Sequence, residues 1–288
     1  MTGILFTSVE LGLIYALVVL GVYLTFTVLN YPDLTVDGSF VTGAAATAIA
    51  IKGGVPGVYA IFFGMLGGFL GGTITAILHT RFNISKILTG ILALSMLYTI
   101  NLRLMDGPNI SLLNQPNVIK LLQAPVNHWK AIAFLFAVVF AMKLFVDWFL
   151  RTEFGLQLRA TGDNEATAKS FAINVNFAKF VGLTISNGFV GLAGGLIAQY
   201  QGFADVNMGM GIIILGLAAL MLAQALTTSV KIPIVTWAII LGAILYQLIV
   251  NVALRLGLPP TDLKFMTALI VVISLLIGSN KKYFKYGK

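Results

Sequence analysis

Two carboxylates and two hydroxyls lie close together in one polar stretch of an otherwise apolar chain. The stretch, residues 30–39, reads Asn-Tyr-Pro-Asp-Leu-Thr-Val-Asp-Gly-Ser and contains Asp33, Thr35, Asp37 and Ser39. Their oxygens can bind a polar solute, or the carboxylates can cap a helix that starts near Gly38. The two roles are compatible, and the sequence leaves both open.

Apolar runs flank this polar stretch on both sides. Residues 4–29 are long enough to cross a bilayer, which takes about 20 residues. Residues 40–51 are too short alone, so a second crossing over 31–51 must include the polar stretch and contain a broken helix. Such a segment is tolerated at membrane depth only where protein or water covers it. The polar stretch is therefore our first candidate to line a path through the membrane.

The composition sets the fold class. The chain is 58% hydrophobic and 10% charged, with a mean hydropathy of +0.96, against about 25% charged residues in soluble domains. This composition predicts an all-α polytopic membrane protein with a single transmembrane domain over 1–288. We expect about eight or nine transmembrane helices, one of them broken near residues 30–40. The predicted spans are 4–29, 31–51, 55–79, 87–105, 130–149, 176–199, 207–226, 231–250 and 262–279.

The basic residues predict the orientation. Of the 18 Lys and Arg residues, twelve, Lys143 among them, fall on the side that holds the C-terminus, and six fall on the other. Basic loops stay in the cytoplasm, so the C-terminus is predicted to be cytoplasmic and, with nine crossings, the N-terminus outside. This pattern explains the net charge of +8, so we expect no nucleic-acid partner. The expected contact of the protein surface is with membrane lipid.

Several kinds of chemistry find no support in the sequence. The chain has no Cys and only two His, which are far apart, so no metal site is predicted. It has no Gly-x-x-x-x-Gly-Lys-Ser/Thr loop, so ATP would have to bind elsewhere. No nucleophile–base pair is visible either, and we predict that the chain is not an enzyme.

Glycines recur at helical spacing in the third and sixth predicted spans. The packing candidates are Gly64, Gly68, Gly72, Gly191 and Gly195. A helix face without side chains allows a second helix to come into near backbone contact. This pattern favours static close packing, and the alternative is a surface along which helices slide.

The long inner loop, about 151–175, predicts a short amphipathic helix. Gly162 is expected to break the chain, after which Asp163 or Asn164 caps a helix that runs to about Ala172. Such a helix suits docking into a groove on a soluble partner, and the alternative is an ordinary interfacial helix. The candidate docking residues are Asp163, Asn164, Glu165, Lys169 and Phe171. Glu165 and Lys169 are spaced i,i+4, an order that supports an exposed helix.

Three segments resemble one family of membrane proteins. The block from Asp33 to Ala44 resembles the equivalent block of ribose-type sugar and branched-chain amino acid ABC permeases. The loop that starts Arg159-Ala-Thr-Gly-Asp-Asn-Glu and the glycine-rich segment from Gly188 to Ala198 are similar to that superfamily as well, as is the stretch from Gly202 to Gly211. The strongest resemblance is to a branch whose members are described as permeases for tryptophan, tyrosine or related amino acids.

The resemblance implies a multi-subunit importer in a bacterial inner or plasma membrane. In it this chain forms the substrate path, and the loop at 151–175 supplies a coupling helix for an ATPase subunit. The expected partners are two copies of the ATPase, which bind ATP and Mg, an extracytoplasmic substrate-binding protein, and a second permease copy in a homodimer. No cofactor is expected in this chain itself.

The path-lining residues are a separate expectation. Asp33, Thr35, Asp37 and Ser39 come first, and Asn187, Gln199 and Gln224 are further polar positions within later spans. A broken helix with acidic residues is equally natural in an ion- or proton-coupled secondary transporter of a small polar solute. That alternative leaves the short helix in the inner loop without a role.

Overall fold

The computed structural model describes residues 2–113, 115, 118–123, 128–227, 229–257, 259, 262, 265–269 and 272. Its helices are α1 (Thr2–Val22), α2 (Val36–Lys52), α3 (Gly57–Thr80), α4 (Lys86–Leu104), α5 (Val118–Gln123), α6 (His128–Phe149), α7 (Glu153–Asp163), α8 (Glu165–Ser170), α9 (Val175–Gln201), α10 (Ile212–Leu226) and α11 (Ile232–Arg255). A π-helical segment (Tyr23–Val28) continues α1, and strands β1 (Asn109–Ser111) and β2 (Phe203–Asp205) pair antiparallel.

The helices account for most of the predicted spans. Within the described part of the chain, α1 with its π-helical continuation, α3, α4, α6, α9 and α11 are long and apolar enough to cross a membrane. A helical fold with several membrane-spanning helices is thereby confirmed. Two predicted spans contain shorter helices, α2 with 17 residues and α10 with 15, and 31–51 is non-helical up to Val36, as its predicted break requires. The ninth predicted span, 262–279, lies mostly outside the described residues.

The seventh predicted span, 207–226, is wrong in its first part. The chain leaves β2 and passes through turns before α10 begins at Ile212. Gly202 and Gly211, which end α9 and begin α10, have φ angles of 82° and 91°. Only glycine adopts this left-handed conformation without cost. The mean hydropathy of 207–226 therefore does not reveal the turns that separate α9 from α10, which begin and end at Gly202 and Gly211.

The break between α1 and α2 starts before the polar stretch. Over Tyr23–Val28 the helix widens to π geometry, and the Leu29 N–H donates to the carbonyl of Leu24 at 3.0 Å. Asn30 then takes a φ of 52°, and the chain stays non-helical until Val36. Single π turns in α-helices are frequent at functional sites. The bundle thus contains two irregular connections, one between α1 and α2 and one between β2 and α10.

Helices α2, α3 and α9 pack at their glycines. A Cβ atom built on Gly191 of α9 would lie 2.6 Å from the Cα of Gly68 in α3, and a Cβ on Gly43 of α2 would clash with the Gly191 backbone. The same interface contains Gly64, Gly72 and Gly195. Because no side chain separates these helices, their backbones are in direct contact. The structure shows the close approach, while sliding along it stays a prediction.

One buried ion pair lies inside α6. Lys143 and Asp147 pair at i,i+4 spacing, and Asp147 Oδ1 accepts a hydrogen bond of 2.7 Å from Thr236 Oγ1 in α11. The assignment of Lys143 to a cytoplasmic loop is wrong, because only 4% of its surface is exposed. Charges among apolar helices are tolerated when they are paired. The remaining basic residues still favour the same orientation.

The glycine contact predicts a large effect of a single methyl group. We expect Gly191→Ala to destabilise the folded protein by about 1–3 kcal/mol, as overpacking of a tight core does. Thermal unfolding in detergent, followed by size-exclusion chromatography, measures this as a lower midpoint. Gly3→Ala is the matched control, because a Cβ at Gly3 has nothing within 4 Å. Equal midpoints for the two variants would contradict the packing argument.

Candidate functional site

Asp33 joins the polar stretch to the middle of α9. Its side chain is buried, with the residue 2% exposed. Oδ1 accepts from the Thr35 N–H at 2.9 Å, and Oδ2 accepts from Asn187 Nδ2 at 2.6 Å. Among the described residues no Lys or Arg forms an ion pair with Asp33. Intramolecular hydrogen bonds contribute about 0.5–1.5 kcal/mol each, and the bond to Asn187 holds the non-helical chain against α9.

Asp37 caps a helix, although not the helix that the sequence indicated. It lies in the first turn of α2, whose N-cap, Thr35, makes no side-chain capping bond. Its two oxygens instead accept from the Gly211 N–H at 3.0 Å and the Ile213 N–H at 2.8 Å. The capping interpretation of Asp37 is therefore right in kind and wrong in its target, since the capped helix is α10. Asp33 likewise accepts from the Thr35 N–H, just before α2.

Two helix N-termini meet at the Asp37 carboxylate. Each N-terminus carries a partial positive charge of about half an elementary charge, from N–H groups that have no partner within the helix. The Asp37 carboxylate lies in the first turn of α2 and at the start of α10, so its charge offsets both ends. Interrupted helices whose N-termini point at one place form the substrate sites of many transporters.

Thr35 and Ser39 face the neighbouring helices. Thr35 Oγ1 lies 2.6 Å from Thr75 Oγ1 in α3, and both residues are fully buried. Ser39 is also fully buried, packs against Gly71 of α3, and its hydroxyl has no hydrogen-bond partner among the described residues. Asp37 lines a cleft.

The cleft beside Asp37 has a volume of about 380 Å³. It lies between α2, α4 and the turn that leads from β2 to α10. Its polar lining residues are Asp37, Ser95, Tyr98, Asn101 and Asn207, and its apolar ones include Leu94, Val41 and Met210. Pockets for small molecules begin at roughly this size and combine an apolar wall with a few polar groups. Tyr98 and Asn101 were not singled out from the sequence, because α4 shows no polar motif. Asn207 was missed because residues 207–211 were predicted to belong to a membrane span.

The three other predicted path residues lie apart from the cleft. Asn187 is fully buried and binds Asp33. Gln199 ties α9 to two other elements, accepting from the Val118 N–H at 3.0 Å and donating to the Gly57 carbonyl at 2.9 Å. Gln224 lies near the end of α10, with its Oε1 buried and without a partner among the described residues. The structure thus groups Asp33 with Asn187 and leaves Gln199 and Gln224 elsewhere.

The inner loop forms two helices instead of one. Gly162, expected to break the chain, lies inside α7, which ends at Asp163. The break falls at Asn164, whose side chain accepts from the N–H groups of Ala166 and Thr167 and so caps α8. The short helix ends at Ser170, two residues before the predicted end. Within α7 the lack of a side chain at Gly162 allows close approach to the backbone of Val28 and Leu29.

Glu165 binds residues of two other helices. Its Oε1 lies 2.7 Å from Lys179 Nζ in α9 and 3.5 Å from Lys86 Nζ in α4, and no pair with Lys169 is found among the described residues. Partial burial alone would raise the pKa of the Glu165 carboxyl. The two lysines outweigh it and hold the pKa below its usual value, so that Glu165 is ionised at neutral pH. Lys169 and Phe171 are exposed.

Two contacts connect α7 and α8 to the polar stretch. Lys86, the partner of Glu165, also donates to the Asn30 carbonyl at 3.1 Å. A Cβ on Gly162 would clash with the Val28 carbonyl and lie 2.9 Å from the Leu29 backbone. The short helix and the end of α1 are thus linked by one ion pair and by one backbone contact. Both contacts are made to residues that precede Asp33.

A second polar cluster, built around the single carboxylate of Glu10, lies at the other end of the bundle. Glu10 is fully buried in α1 and accepts from Tyr200 at 3.1 Å, while His128 lies 3.1 Å from its other oxygen. Phe6 stacks on the His128 ring. Glu10 is the only acidic residue in the first predicted span, 4–29, and that position was the signal in the sequence for this cluster. No three metal-ligating side chains gather anywhere in the described part of the chain.

The Asp37 contact predicts a local loosening of α10. We expect Asp37→Ala to speed amide hydrogen exchange over residues 211–213, because losing a capping side chain costs about 0.5–2 kcal/mol. Mass spectrometry of peptides from this region measures the rate. Asp205→Ala is the control, since Asp205 accepts from the Asn207 N–H in the same connection and does not bind α10. The capping role would be refuted by equal acceleration in both variants.

Comparison with known proteins agrees with this arrangement. The chain is 39% identical over 279 residues, 97% of its length and 92% of the relative's, to a tyrosine transport system permease protein of Clostridioides difficile (strain R20291). It is 28% identical over 163 residues, 56% of its length and 47% of the relative's, to the autoinducer 2 import system permease protein LsrC of Photorhabdus luminescens.

A solved structure has the same fold. PsaBC from Streptococcus pneumoniae, determined in complex with Fab, contains a chain that superposes with a TM-score of 0.53 at 13% identity, covering 95% of this chain and 90% of that one. The family model described as branched-chain amino acid transport system / permease component matches residues 4–276. The resemblance seen in the sequence is confirmed, and the chain belongs to this family of transport permeases.

Proposed function

We propose that this permease component imports aromatic amino acids, tyrosine among them, and that its path passes the cleft beside Asp37. The observation that carries the proposal is the meeting of two interrupted helices at one carboxylate on the wall of a 380 Å³ cleft. The relative named for tyrosine transport supports the choice of substrate, because the match covers 97% of this chain.

The energy for import would come from an ATPase on another polypeptide. Two ATPase copies would bind ATP and Mg and would dock on α8 of two permease copies, which form a homodimer. The Phe171 ring, 75% exposed at the end of α8, is suited to enter a groove on the ATPase. Glu165 has a different task, because its carboxylate is bound inside the permease by Lys179 and Lys86.

The docking end and the cleft are connected in this proposal. A push on α8 would act through Glu165 and Lys86 on the Asn30 carbonyl, and through Gly162 on Val28. Both contacts precede the segment that Asp33 holds to α9. An extracytoplasmic binding protein would deliver the amino acid at the opposite end of the bundle, with the C-terminus in the cytoplasm of a bacterial cell.

Uptake by the reconstituted system tests this function. We expect proteoliposomes that contain the permease, its ATPase and its binding protein to accumulate radiolabelled L-tyrosine only when ATP is enclosed. Omitting the ATPase is the control and should abolish uptake. Tyrosine accumulation by the permease chain alone, driven by a proton or sodium gradient, would replace the proposal with a secondary transporter.

Docking through Phe171 gives a separate prediction. We expect Phe171→Ala to weaken ATPase binding by about tenfold or more, because truncating an interface anchor costs about 2 kcal/mol. Co-purification and the affinity of the detergent-solubilised complex measure the loss. Phe82→Ala is the matched control, since Phe82 is 64% exposed in the turn between α3 and α4. A loss confined to Phe82→Ala would move the docking site to that turn.

A further inference from the structure

We propose that the permease itself selects its substrate, through a binding site in the cleft beside Asp37 that recognises the ammonium group of an amino acid with an apolar or aromatic side chain. The inference deepens the proposed function and rests on it for the class of substrate. It assigns the selecting residues to this chain, in addition to any selection by a delivering protein.

Asn101 is the first observation. It lines the cleft, is 1% exposed, and its Oδ1 has no hydrogen-bond partner among the described residues. Its Nδ2 faces the Gly38 carbonyl at 3.4 Å, which orients the side chain. A buried acceptor without a partner costs free energy, and such groups in native proteins usually have a ligand or a functional role. Asn101 Oδ1 is therefore available to accept a hydrogen bond from a ligand.

The charge of the cleft favours a zwitterion. Asp37, next to Gly38, places a carboxylate in the wall near Asn101, and the N-termini of α2 and α10 offset about one unit of charge. The wall is thus close to neutral overall but polarised, with its negative centre on one side chain. A free cation gains less in such a site than a zwitterion does, although its ammonium can still reach Asp37 and Asn101. A neutral molecule that carries its own separated charges can align its ammonium with Asp37 and Asn101.

The remaining wall selects the side chain. Tyr98, 50% exposed, offers an aromatic face, while Leu94 and Met210 supply apolar contact. Aromatic rings pack favourably against such residues, and an ammonium group is attracted to a ring face. The exposed Asn207 side chain at the same cleft provides an amide donor for the carboxylate of the ligand. A sugar would leave the apolar wall uncovered.

A single cysteine makes the cleft measurable. The chain has no Cys, so Ser95→Cys places one thiol on the cleft wall with little change in size. In membranes that hold the permease with its ATPase, the rate at which a fluorescent maleimide labels this thiol reports access to the cleft. We expect L-tyrosine to slow labelling in a saturable manner. Tyramine, which keeps the ammonium, should also protect, whereas 3-(4-hydroxyphenyl)propionate and ribose should not.

A second variant tests the acceptor. With Asn101→Leu added, we expect half-protection to require about tenfold more L-tyrosine, the effect of losing one hydrogen bond to a charged group. Asn251→Leu is the matched control, because Asn251 binds Ser8 between α11 and α1 and does not line the cleft. Should Asn101→Leu not fold, the comparison of tyramine with the deaminated acid still decides the point.

Uptake of L-tyrosine by the same Ser95→Cys protein separates the two proposals. Uptake without protection, or protection by the deaminated acid as strong as by tyrosine, overturns the binding site and leaves the proposed function. Protection without ATP-dependent uptake overturns the proposed function and leaves the site. The absence of both overturns both.

Discussion

The constraint on which the rest of this structure depends is the need to satisfy backbone N–H groups where helices are interrupted inside an apolar bundle. Water is not present there to bind them. Asp33 binds the Thr35 N–H before α2, and Asp37 binds the Gly211 and Ile213 N–H groups of α10. Both side chains therefore stabilise the fold whether or not a solute is bound. Their placement also makes α10 dependent on α2, because the cap of one helix is a side chain of the other.

Close helix packing also brings Asp33 within hydrogen-bond distance of Asn187. Asp33 reaches Asn187 because α9 lies in backbone contact with α3 and α2 along glycine faces, and a larger residue at Gly68 or Gly191 would hold the helices apart. The glycines thus have a second role besides allowing close packing. They set the distance at which a short side chain of a non-helical segment can bind an amide on a long helix. Packing and polar satisfaction are two parts of the same arrangement.

Apolar composition was sufficient to predict the long helices, since span length and hydropathy depend on local sequence. It failed at 207–226, where the strongly apolar helix α10 was extended in the prediction over the turns of 207–211. The target of Asp37 was also out of reach, because Gly211 is distant in sequence and no local pattern connects the two. Glu165 illustrates the same limit. Its i,i+4 spacing to Lys169 was visible, whereas its bonds to Lys179 and Lys86 arise only from tertiary contact.

The π-helical segment Tyr23–Val28 has a consequence for comparing chains of this kind. A π turn holds one residue more than an α turn, so every residue after it is rotated by about 100° from where a regular helix would place it. The Val28 carbonyl at the end of this segment faces Gly162, and the Asn30 carbonyl just after it accepts from Lys86. A chain with one residue fewer in this segment would keep the same hydropathy and nearly the same length. It would nevertheless present a different side of its first helix to the inner loop.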